Sequence, residues 1–307
     1  MLLLQALVAA ALAWLFAFLL PAAGGWLATA LGLACVLGVR AAINANNFLI
    51  ASRFRSHLPA HFRIRGIAFL RLFLAEFRAS MVSSSWSMPF LAFERCLPED
   101  AEGLPVLLVH GYGCNSGYWR AMSRALQRAR VAHHAVNLEP VTASIDDYVA
   151  QVHAGVERLR KETGSRRVIL LCHSMGGLVA RAYIRVHGTG RLARVITLGT
   201  PHHGTALAHF GVGLNSHQMR WTASEQGGLA SEWLREIAAG EDIRTYRLFV
   251  SIWSHHDNII SPQSSSRLEG ARNIELHAVG HVALAMDKQV QKLVVEEIRA
   301  ASAIPLP

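Results

Sequence analysis

Val168-Ile-Leu-Leu-Cys-His-Ser-Met-Gly-Gly-Leu-Val-Ala180 joins a buried-strand pattern to a helical one through a single Ser flanked by small residues. A short apolar run that stops at such a turn reads as a strand covered on both faces. For the chain to reverse within a few residues of Cys172, Ser174 must project from a sharp, strained corner, and bulky groups two residues to either side would collide there. Gly176 and Gly177 supply the small residues on the helix side, and Cys172 stands where a GxSxG turn carries its first Gly. The corner also puts the backbone N–H of Met175 at the start of a helix, aimed at the place where negative charge develops on a substrate oxygen. One turn thus offers a nucleophile and half of an oxyanion hole. A small-x-Ser-x-Gly string also arises by chance, so the surrounding sequence has to decide.

Upstream, Pro105-Val-Leu-Leu-Val-His-Gly-Tyr-Gly-Cys-Asn115 is an apolar run that ends in a Gly-rich loop, as a parallel strand does at the edge of a sheet. The second oxyanion donor is assigned to the backbone N–H of Tyr112, because the neighbouring glycines let the backbone approach a ligand closely. An ordinary strand-to-helix turn is the competing reading. A Ser hydroxyl is a weak nucleophile at neutral pH and needs a His base, itself oriented by a carboxylate. Sixteen histidines offer too many choices. A chain order of Ser, then Asp or Glu, then His, each after a strand, narrows them. Arg247 to Pro262 reads as a strand leading into a polar turn that holds Asp257, and Arg272 to Leu284 as an alternating strand whose end presents His281. Asp146, Asp147 and Asp242 compete less well: the first two precede the Ser, and the third lies before its strand. His255, His256 and His277 remain open as alternatives to His281.

With HGYG at 110 to 113, HSMGG at 173 to 177 and TLGTPHHGT at 197 to 205, the chain resembles the bacterial lipase and esterase branch of the α/β-hydrolase superfamily. The resemblance covers residues 104 to about 300. It implies an α/β-hydrolase fold and a carboxylic-ester hydrolase acting on acyl glycerols or similar lipids. It further implies a Ser174, Asp257, His281 triad with Tyr112 and Met175 as oxyanion donors. Cys172 departs from the family's elbow Gly, and the calcium-site and disulfide features of secreted members are not evident, so no metal and no cofactor are expected. Residues 207 to 240 lie where the family carries an insertion over its active site. Their Trp, Met and Leu mixed with charges suit an amphipathic lid or, equally, a plain surface helix.

The chain has 307 residues, of which 52% are hydrophobic, and the excess apolarity sits at its start. Residues 1 to 39 carry no charged side chain, and Pro21-Ala-Ala-Gly-Gly25 divides them into two apolar stretches. About 20 residues span a hydrocarbon core, so the first can cross, and the second can if it runs from Trp26 into Phe48. Met1-Leu-Leu-Leu-Gln5 lacks the positive n-region of a signal peptide. An uncleaved helical hairpin is therefore favoured over a single signal anchor or a cleaved signal. Arg40, Arg53, Arg55, Arg63, Arg65, Arg71 and Arg78 follow at once, and positive charge beside a membrane segment favours the cytoplasmic side. The expected location is a membrane, a bacterial inner membrane on the resemblance above, with the catalytic domain on the cytoplasmic side. A net charge of +9 also raises nucleic acid as a partner. That reading is rejected, because no such motif is present and the arginines cluster beside the anchor, where anionic lipid head groups explain them. The four cysteines show no paired spacing and are expected to be free thiols.

Residues 1–50 are thus expected to anchor the chain, 51–98 to form a basic helical connector lying on the membrane or packed on the enzyme, and 99–307 to form the catalytic domain. Strands are expected near 105–109, 131–136, 168–172, 194–198, 246–252 and 273–278, alternating with helices in the manner of a mostly parallel sheet. The activity expected is lipase or esterase. An acyltransferase or thioesterase of the same fold, or an inactive membrane scaffold, stands as the alternative.

Overall fold

The computed structural model describes residues 2–224 and 228–303. The strands are β1 (Arg95–Cys96), β2 (Val106–Val109), β3 (His133–Val136), β4 (Val168–His173), β5 (Leu192–Leu198), β6 (Trp221–Thr222), β7 (Leu229–Ala230), β8 (Phe249–Ser254) and β9 (Arg272–Leu276). Seven of them form one sheet in the order β1-β3-β2-β4-β5-β8-β9. Every pairing in it is parallel except the short β1 edge, which runs antiparallel to β3. All six strands expected from the sequence are present. The two-residue β1 carries no periodic signal, and β6 and β7 make a separate small hairpin.

The central strands β2 and β4 are buried along their whole length, so alternate residues feed two cores, as the two-residue period of a strand requires. Leu107, Val109, Leu170 and Cys172 face a layer formed by the helices Val149–Thr163 and Met175–His187. Val106, Leu108, Ile169 and Leu171 face the helices Arg120–Arg128 and Lys288–Ser302. Helices on both faces and loops at the carboxyl ends of parallel strands make that edge the place for a site.

Before the sheet come α1 (Leu2–Leu19), α2 (Gly24–Arg53) and α3 (Ile67–Val82). The helices α1 and α2 lie against each other so closely that a Cβ on Gly32 would come within 2.7 Å of the Ala9 carbonyl oxygen. At 30 residues, α2 is long and apolar enough to cross a membrane, and α1 is a shorter apolar helix. Most of their side chains point away from the protein, including Trp14, Phe18 and Trp26. The helix α3 turns Leu72, Glu76 and Ala79 inward, Ala79 into the second core, and leaves Ile67, Leu70 and Leu74 outside. The connector therefore packs on the enzyme with one face. Cys35, Cys96, Cys114 and Cys172 are free.

Candidate active site

Ser174 has φ +53° and ψ −126°, a left-handed backbone that side chains other than Gly rarely adopt. It is held there from both sides: its N–H donates to the Leu198 carbonyl at 2.9 Å, and its own carbonyl accepts from the Thr200 hydroxyl at 2.9 Å. The need for small neighbours is visible on the helix side. A Cβ on Gly176 would overlap the Val109 carbonyl, and one on Gly177 would overlap the Thr200 side chain. Cys172 points into the first core, and burial pushes its thiol pKa up, so it is a packing residue and not a second nucleophile.

Asp257 and His281 meet: His281 Nδ1 lies 2.7 Å from Asp257 Oδ2. Because a carboxylate accepts, Nδ1 carries the proton and Nε2 is left free to act as a base. The other carboxylate oxygen accepts from the Ile259 and Ile260 N–H groups, each at 2.8 Å, which fixes its plane. Burial disfavours the His281 imidazolium, but the Asp257 charge and hydrogen bond, and then Glu76, outweigh it. The pKa of His281 is raised above its ordinary value of 6.5.

The backbone around this imidazole is fully engaged. His281 N–H donates to Asn258 Oδ1 at 3.0 Å, its carbonyl accepts from His173 Nε2 at 3.1 Å, and the rings of His173 and His281 lie 4.6 Å apart. The next two N–H groups, of Val282 and Ala283, donate at 2.9 Å to the two carboxylate oxygens of Glu76. Glu76 and Asn258 were not legible as site residues. Glu76 is the lone acid in an apolar and arginine-bearing helix, and only that isolation signals it.

The segment Leu198–Thr200 links the three parts. Leu198 and Thr200 bond Ser174, while Gly199 (φ +55°) sits so close to the dyad that a Cβ there would come within 3.0 Å of Asp257 Oδ2 and 3.2 Å of His281 Nδ1. The TLGTPHHGT stretch continues the linkage, for the Thr205 hydroxyl donates to the Ile259 carbonyl and accepts from Ser261 N–H. The competing acids have other work. Asp146 pairs with Arg185 and Trp233, Asp147 accepts from Ser144 N–H, and Asp242 caps the turn that follows it. His255 bonds Glu275, His256 accepts from Ala278 N–H with its pKa lowered to about 4 chiefly by burial, and His277 stacks on Phe62.

On the other side of Ser174, a Cβ on Gly111 would come within 2.8 Å of Ser174 Cβ, so the Gly111–Tyr112 backbone passes directly over the corner. His110 braces that loop. Its Nε2 accepts from Leu138 N–H at 3.0 Å, so Nδ1 holds the proton and donates to the Gly111 carbonyl at 2.9 Å. Burial lowers its pKa to about 4, which keeps it neutral. Met175 opens its helix, where an N–H has no intrahelical acceptor. The Tyr112 hydroxyl donates to the Val212 carbonyl and accepts from its N–H, tying this loop to the 207–240 segment.

A cleft of about 340 Å³ opens beside Ser174, lined on one side by Tyr112, Ala208, Phe210 and Met219, and on the other by Asn46, Asn47 and Ile50 of α2. That second wall was not expected: the helix read as a membrane anchor forms part of the cleft. Of the 207–240 segment, 225–227 fall outside the described residues. Its first part lines the cleft, whereas Leu234 and Ile237 of the helix Glu232–Ala239 are buried in the core beneath it. Among the described residues no group of His, Cys, Asp and Glu is arranged to hold a metal ion.

Three comparisons bear on this geometry. The family described as palmitoyl protein thioesterase matches residues 105–240. Triacylglycerol lipases of Pseudarthrobacter phenanthrenivorans and Burkholderia plantarii are each 33% identical over 116 residues, which is 34% of this chain and 35% and 32% of theirs. The match thus spans about a third of these curated relatives. The mature Bacillus licheniformis lipase structure superposes with a TM-score of 0.57 at 17% identity, over 67% of this chain and 97% of that one. The chain has the α/β-hydrolase fold, and its core is similar in sequence to those lipases.

Proposed function

We propose that this protein is a carboxylic-ester hydrolase acting on lipid-like acyl esters, with Ser174 as nucleophile, His281 as base and Asp257 as the group that orients it. The observation that carries the reading is the 2.7 Å bond between His281 and Asp257, formed by loops that Leu198–Thr200 joins to the strained Ser174 corner. In this mechanism His281 Nε2 takes the hydroxyl proton as Ser174 Oγ attacks the carbonyl carbon. The negative oxygen of the tetrahedral intermediate is held by the N–H groups of Tyr112 and Met175. The imidazolium then returns its proton to the leaving alkoxide, and water, deprotonated by the same imidazole, releases the acid and restores Ser174. The raised His281 pKa suits it to hold that proton between steps.

The substrate class rests on the lipase relatives and on the cleft wall contributed by α2. We read α1 and α2 as a hairpin anchored in a membrane, with the arginines from Arg40 to Arg78 toward the cytoplasmic leaflet and residues 99–307 as the catalytic domain beneath it. The part of 207–240 that lines the cleft is read as its cover. A thioesterase is the second reading, favoured by the family match over 105–240.

Detergent-solubilised protein should cleave p-nitrophenyl esters and be labelled by a fluorophosphonate probe. Ser174→Ala should lose both, at least a thousandfold in ester cleavage, while keeping its melting temperature. Equal labelling of the variant would remove Ser174 from the mechanism. Matched oxygen and sulfur esters of one acyl chain would separate the two readings.

A further inference from the structure

Glu76 is 1% exposed, and the hydrolytic mechanism above does not use it. Both oxygens of its carboxylate accept from N–H groups of the His281 loop, at Val282 and Ala283. The fit is shaped on both sides. A Cβ on Gly280 would overlap the Glu76 carboxylate, so the residue preceding His281 is small where the acid lies. A buried carboxylate is costly unless it is paired, and here two backbone donors and the adjacent imidazole supply the pairing. We propose that Glu76 is a positioning residue for His281: carried by α3, it fixes the backbone that presents the imidazole and sets a second negative charge beside the imidazolium formed during catalysis.

The electrostatics agree in sign. Burial raises the Glu76 carboxyl above the usual range, the Val282 and Ala283 N–H groups and His281 oppose that, and Asp257 reinforces it. Glu76 in turn helps raise His281. His173, whose ring lies 4.6 Å from that of His281, is held neutral mainly by burial, and the Tyr118 phenol, stacked on His173, is pushed up by burial. Asp257 and Glu76 are the two acids that raise the His281 pKa.

The proposal rests on His281 being the base, and its test keeps the two claims apart. In detergent-solubilised full-length protein, the rate of fluorophosphonate labelling of Ser174 should rise with pH through the His281 pKa. Glu76→Gln keeps the shape and one acceptor but removes the charge, so the rise should move to lower pH by on the order of one unit and the plateau rate should fall. The same shift should appear in the pH dependence of His281 modification by diethylpyrocarbonate, followed by peptide mass spectrometry, which needs no catalysis. Gly280→Ala, which displaces the carboxylate, should shift both profiles in the same direction and serves if Glu76→Gln does not fold. Unchanged profiles in a folded variant would overturn the role of Glu76. A shifted His281 profile without any Ser174 labelling would keep Glu76 and remove the hydrolase reading instead.

Discussion

At the scale of single residues, the site depends on contacts too short to tolerate an added methyl group. Gly199 bears on the dyad directly: its φ of +55° strains any side chain, and a built Cβ would meet Leu284 Cδ1 at 2.7 Å and Asp257 Oδ2 at 3.0 Å, so Gly199→Ala should press on the dyad. Misplacement by about 1 Å costs on the order of a hundredfold in rate, so kcat should fall by that amount while KM changes little. Asp257→Asn should do more, about ten-thousandfold in kcat, because the amide no longer fixes the tautomer. The pH dependence gives a second measure. If His281 is the base, as proposed, it acts only when neutral, and since its folded pKa is raised, kcat/KM should climb with pH through an inflection above 6.5. In Asp257→Asn that inflection should fall. The strand-end placing of Ser174, Asp257 and His281, and the meeting of the last two, were legible because their order along the chain is restrictive. Glu76 and Asn258 were not, because their roles are bonds to backbone groups of a distant loop, and such bonds leave no spacing in sequence.

At the scale of elements, the strands were legible because β2 and β4 are buried on both faces and read as continuous apolar runs. The two residues of β1 are too few to show a period, and its pairing with β3 is decided by tertiary structure alone. The 207–240 segment looked uniform in sequence and is divided in the structure. Its helix Glu232–Ala239 is anchored by Leu234 and Ile237, and Asn215 and Ser216 are buried, so cutting into this part of the segment would disturb the cleft itself. Its apolar tips are a better probe, since Phe210, Val212 and Leu214 are 72%, 69% and 63% exposed at or near the cleft mouth. Burying such side chains in a lipid surface is worth about 1.5–3 kcal/mol each. Replacing Phe210 and Val212 together by Ser should therefore cut hydrolysis of emulsified long-chain esters at least tenfold. Cleavage of a short, soluble p-nitrophenyl ester should stay within twofold, and equal loss on both substrates would show that these residues support the fold instead.

At the scale of the whole molecule, the apolar N-terminal segment is bonded into the catalytic loops. Asn44 Oδ1 accepts from Asn258, the Ala51 carbonyl accepts from Ser261, Ser56 bonds Gln263, and Gln263 donates to the Asp257 carbonyl. The helix α3 adds Glu76 under the His281 loop and buries Leu72 and Ala79. Both loops of the dyad are thus braced by residues that precede position 99, although every residue singled out for chemistry in the sequence follows it. Residues 99–307 produced alone would lose the burial of Leu72, worth about 2 kcal/mol, and the two bonds Glu76 accepts from the His281 loop. They would also lose the α2 wall of the cleft. That piece should show a lower melting temperature and at least a hundredfold slower labelling by a fluorophosphonate than the full chain in detergent, when rates are compared per folded molecule. If the two labelled at the same rate, the N-terminal helices would be a tether only, and the active site would be complete without them.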